Sequence, residues 1–118
     1  MMTLERWIFN RISDAIDTIS TVKHESGISL RQTDSMSQNR FVKLTTFEVI
    51  CIESTKTAAA ADADAVDAVI DDIASHNYVM TTDINTEASS REGSPARWVY
   101  TISFTVQHRR IADWSEVA

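Results

Sequence analysis

Residues 97–110 read RWVYTISFTVQHRR, the clearest periodicity in the chain. Trp98, Tyr100, Ile102, Phe104 and Val106 fall on one face; Thr101, Ser103, Thr105 and Gln107 fall on the other, with Val99 the exception. Period two with a single apolar face predicts a half-buried antiparallel strand. Its natural neighbour is YVMTTD at 78–83, since antiparallel strands can be joined locally. Between them, residues 84–96 are polar and acidic and end in Gly93-Ser94-Pro95, which rules out a central strand there. At 13 residues the segment reads as a mobile exposed loop or a widened hairpin tip.

Working backwards, TAAAADADAVDAVIDDIAS at 57–75 is a helix. Alanine supplies the propensity, and Ala65, Val66, Val69, Ile70, Ile73 and Ala74 supply an apolar stripe. Upstream, FVKLTTFEVICIES at 41–54 carries apolar residues on both faces, which places that strand in the middle of a sheet. Residues 28–40 begin with a short alternation at Ile28 and Leu30. They then turn polar, so 31–40 is expected to be a second mobile loop. Leu4, Trp7, Ile8, Ile12, Ala15, Ile16 and Ile19 form a helical stripe over 4–19, with Thr3 as N-cap and Glu5 in the first turn. The final stretch, 111–118 (IADWSEVA), reads as a C-terminal extension whose Trp114 is the least expected apolar group in the chain.

The resulting order is helix, weak strand, strong strand, helix, strand, strand. The predicted fold is α+β in a single domain, 1–118: a mixed, largely antiparallel sheet of about four strands with two helices on one face.

Net charge is −6, and it is unevenly spread. Residues 57–92 hold eight acids against Arg91 alone, whereas 93–118 are slightly basic. An acidic chain repels nucleic acid, and Arg109-Arg110 is too short a basic patch to reverse that. No apolar run approaches the roughly 20 residues of a membrane helix. The start carries Glu5 and no continuous apolar core, so no signal peptide is expected. The single cysteine, Cys51, fits a reducing compartment and lies inside a hydrophobic strand, where a thiol acts as a small core group.

Little in the sequence points to catalysis. His24, His76 and His108 are separated by strands or a helix and have no Cys or His at metal-ligand spacing. Two glycines, Gly27 and Gly93, cannot build a phosphate-cradling loop. Asp62, Asp64, Asp67, Asp71 and Asp72 lack the glycine turn and loop of a calcium site, so they read as a solvated acidic face or one that meets a basic partner. No catalytic residue, metal or cofactor is expected. A small ferredoxin-like hydrolase would need perturbed carboxylates around His24 or His108.

The chain resembles the tail terminators of long-tailed bacteriophages. The resemblance lies in the amphipathic first helix (4–19), the segment FEVICIES, the acidic alanine-rich helix (62–74), and the closing strand RWVYTISFTVQHR preceded by a polar loop. IADWSEVA goes beyond the family pattern. The resemblance implies a structural virion protein, made in the host cytoplasm and located in the tail. It implies a homo-oligomeric, typically hexameric ring that caps the head-proximal end of the tail tube, ends its polymerisation and offers a surface for joining the head. Its partners are then the major tail tube protein and the head–neck connector. Rival readings are another neck component and a generic α/β binding module.

A ring needs two different complementary surfaces on each subunit. The acidic face at Asp64, Asp67, Asp71 and Asp72, with the bases Arg97, Arg109 and Arg110, is the expected subunit interface. Arg31 and Arg40 on one polar segment, Glu87 and Arg91 on the other, and Trp114 are the expected partner contacts.

Overall fold

The computed structural model describes residues 1–16, 19–20, 27–93 and 95–117, with 19 and 20 described in backbone only. The extended turn expected at Thr21 and Val22, and His24, lie outside the described residues. Chain order is α1 (Leu4–Ala15), β1 (Ile19–Ser20), β2 (Gly27–Ser37), β3 (Val42–Glu53), α2 (Lys56–Ile73), β4 (Val79–Glu92), β5 (Arg97–Arg109) and a 3-10 helix (Trp114–Glu116). The strands form one sheet in the order β1-β2-β3-β5-β4. The four long strands run antiparallel to their neighbours, and β1 alone pairs parallel, against Ile28 and Ser29. The fold is α+β, as expected.

Both helices begin where a threonine can cap them. The Thr3 hydroxyl accepts the Arg6 N–H at 3.2 Å, and the Thr55 hydroxyl accepts the Ala58 N–H at 3.2 Å. Each cap satisfies an amide that the helix itself leaves unpaired. α1 buries Leu4, Trp7, Ile8 and Ile12; α2 buries Ala59, Ala63, Val66, Ile70 and Ile73. The helices touch each other and share one core with the same sheet face. α1 is shorter than its stripe suggested. Ile16 is already extended (φ −137°, ψ 122°), and Ile19 belongs to β1. β-branched residues at 16, 18 and 19 favour that change.

β3 is the central strand, as its two apolar faces required. Phe47 sits directly opposite Phe104 of β5, ring centroids 5.5 Å apart and both fully buried. Val49 faces Ile102 and Cys51 faces Tyr100 in the same register. Burying such a side chain contributes about 1.5–3 kcal/mol, so this row dominates the core.

Three expectations are corrected. Residues 31–37 are strand, not loop: β2 continues to Ser37, and only 38–41 turn the chain, with the Asn39 side chain accepting the amides of Phe41 and Val42. Residues 84–92 are likewise strand, since β4 runs to Glu92 before Gly93 (φ 82°) turns into β5. Both polar runs are held by backbone pairing to a well-buried neighbour rather than by their own burial. The C-terminal segment packs back on the core, so Trp114 is not the expected partner contact. Trp114 is 2% exposed and Val117 6% exposed, and the Trp7 indole N–H donates to the Val117 carbonyl at 3.3 Å.

Candidate functional site

The acidic helix divides into two populations. Asp64, Asp71 and Asp72 are exposed on α2, whereas Asp62 and Asp67 sit at the seam with the sheet and are half-buried. The seam carboxyls meet other carboxyls: Asp62 meets Glu53 at the end of β3, and Asp67 meets Glu87 on β4. Desolvation first, and the neighbouring carboxyl second, push Asp62 and Asp67 up to about 6. Two carboxyls bond only when one holds a proton, and with both ionised Asp62 Oδ2 and Asp67 Oδ1 are shielded from solvent without a partner. The sequence reading puts Asp62 on the solvated acidic face and Asp67 in the subunit interface; the structure instead sets both against carboxylates of the sheet, and a signal for that was there. Asp62 lies three residues after Ala59 and four before Val66, and Asp67 lies four after Ala63 and three before Ile70, so both flank the buried stripe.

The bases do not form one patch. Arg97 opens β5 and Arg109 closes it, so they stand roughly 40 Å apart at about 3.4 Å per residue. Arg109 and Arg110 lie at the end of the sheet where the β2–β3 turn and the start of β4 also lie. The Arg110 amide donates to Phe41 O at 3.0 Å and the Arg109 amide to Tyr78 O at 2.9 Å. That end therefore gathers Arg40, Arg109 and Arg110 with the exposed apolar side chains of Phe41 (69%), Tyr78 (38%) and Met80 (42%). The Arg40 guanidinium lies 5.5 Å from the centre of the Phe41 ring.

Behind this end, a cavity of about 440 Å³ is lined by Lys43, Thr45, His108, Arg110 and Trp114, among others. His108 Nδ1 lies 2.8 Å from the Arg109 carbonyl, which can only accept. Nδ1 therefore carries the proton, Nε2 accepts, and the buried Thr45 hydroxyl donates to it across 2.7 Å. Burial holds the His108 pKa below its usual value. The raised carboxyls are on α2 and not beside this histidine. Burial also pushes the Cys51 thiol up to about 12, so it stays protonated within the core. Among the described residues no three His, Cys, Asp or Glu side chains gather to hold a metal ion. No described helix is long and apolar enough to cross a membrane.

No family model matches the chain, and no curated protein matches it.

Of the expected partner contacts, Arg31 is tied across the strand to Glu48 at 3.1 Å on the helix-free face of the sheet, and Arg40 sits at the basic end. Glu87 and Arg91 lie on β4, at the opposite sheet edge from β2. Trp114 makes no such contact: it is core, with its ring 5.3 Å from that of Trp7 and 5.4 Å from that of His108.

Proposed function

We propose that the chain is a structural subunit of a phage tail, forming a ring that caps the head-proximal end of the tail tube and ends its growth. The carrying observation is that one subunit presents two unlike charged surfaces. The exposed acids Asp64, Asp71 and Asp72 line the helix layer, while Arg40, Phe41, Tyr78, Arg109 and Arg110 form a basic, aromatic group at the end of the sheet toward which α2 runs. Head-to-tail contacts that close into a ring require two different, complementary patches. Opposite charge supplies orientation more than affinity, while the exposed aromatic groups supply apolar area at the same end. The tube protein and the head–neck connector are the partners on this reading.

Co-sedimentation with isolated tail tubes and, separately, with isolated connectors tests it. The chain is expected to pellet with tubes at a level set by the number of tube ends. Association with connectors alone would move it to a neck component. Association with neither would overturn the tail assignment.

A further inference from the structure

The two edges of the sheet are treated differently. On the β2 side, β1 covers Ile28 and Ser29, Glu5 accepts the Gln32 N–H at 2.9 Å, and Asp34 accepts the Ser35 N–H at 2.9 Å. A bulge between Gln32 and Asp34 breaks the edge further. These are the usual devices that stop a sheet from adding strands. β4 has bulges of its own between Val79 and Thr81 and between Ile84 and Thr86, but beyond them residues 86–92 (TEASSRE) run in unbroken register with β5, and all of them are exposed. Among the described residues no strand or side chain takes up their outward amides.

This bare run is self-complementary. Paired antiparallel with a second copy about Ser89, it places Glu87 of each chain opposite Arg91 of the other, twice by symmetry. Thr86 then faces Glu92, Ala88 faces Ser90, and no like charges meet. Glu87 and Arg91 lie on the helix-covered face, opposite Ile102 and Trp98 of β5. The incoming guanidinium therefore arrives where Asp67 and Glu87 crowd together and where Asp67 Oδ1 has no partner.

We propose that unassembled copies of this chain dimerise through β4, with residues 86–92 paired antiparallel about Ser89 and Glu87 bonded to the partner's Arg91. A two-fold pair has no distinct ends, so this contact is separate from a polar ring and does not rest on the tail reading. It covers the open edge of a free subunit.

Sedimentation equilibrium of the full chain and its charge variants tests this. Wild type is expected to be a dimer. Glu87→Arg and Arg91→Glu each replace two attractive pairs by two repulsive ones, and each is expected to weaken the dimer at least ~10-fold. Equimolar mixing of the two variants restores association as a heterodimer, because every cross-pair is then opposite in charge. The double variant E87R/R91E dimerises again with itself. Circular dichroism confirms that each variant is folded, and R91E, on an exposed side chain, carries the test if E87R is not. A monomeric wild type, a dimer indifferent to both reversals, or failure of mixing to restore association would each overturn the proposal. Failure here with successful tube binding leaves the tail reading standing, and the reverse result separates them the other way.

Discussion

The indole N–H of Trp7 donates to the carbonyl of Val117 across 3.3 Å, joining the first helix to the last turn of the chain. A second link runs the same way, from the Trp114 amide to Met2 O at 2.9 Å. Trp114 fills the space between Trp7 and His108, so the C-terminal segment closes the core. Trp114→Ala is expected to cost about 3–5 kcal/mol in urea unfolding, the range for emptying a large buried aromatic site. A loss below about 1 kcal/mol would mean that the segment is dispensable.

Asp62 makes folding depend on pH. Its folded pKa of about 6 lies above the ordinary 3.8, so between these values the folded chain binds more protons than the unfolded one. This group's share of stability therefore rises as pH falls from 7 towards 4. Asp62→Asn is expected to raise stability at pH 7 and to flatten that part of the profile. Partial exposure limits the gain to about 1 kcal/mol. Thermal melts of both proteins across pH 4–8, roughly the span in which the group titrates, measure it.

His108 acts in the opposite sense. Its folded pKa is lowered from 6.5, chiefly by burial, so its contribution is present above that value and is lost as pH falls. NMR of the imidazole should show the Nδ1–H tautomer at neutral pH. Thr45→Val leaves the buried Nε2 without its donor and is expected to cost about 1–3 kcal/mol. A wild-type melting temperature in that variant would contradict the pairing.

The Thr55 cap offers a smaller test. Thr55→Ala should cost about 1 kcal/mol, with fraying confined to the first turn of α2. Hydrogen exchange at Ala58 reads it directly.

What could be read from the sequence was whatever burial writes into side-chain pattern. The alternation at 97–110, the two-faced apolar run at 41–54 and the part of the α2 stripe at Val66, Ile70 and Ile73 follow from which side meets the core. The polar strands at 31–37 and 84–92 left no such mark. A strand exposed on nearly every side chain is fixed by its neighbour's backbone, and composition then resembles a loop. Trp114 was visible as an anomaly, but only the contact with Trp7 explains it. The acids at Asp64, Asp71 and Asp72 did read as a solvated face. The carboxyl pairs involving Asp62 and Asp67 depend on which strand residues lie beneath α2, and helical spacing alone cannot supply that.

Growing tail tubes from purified tube protein, with and without this chain, and measuring their lengths by electron microscopy tests the tail assignment most directly. The expected result is shorter tubes as the chain is added, each bearing a ring at one end. Unchanged lengths with bare ends would contradict it.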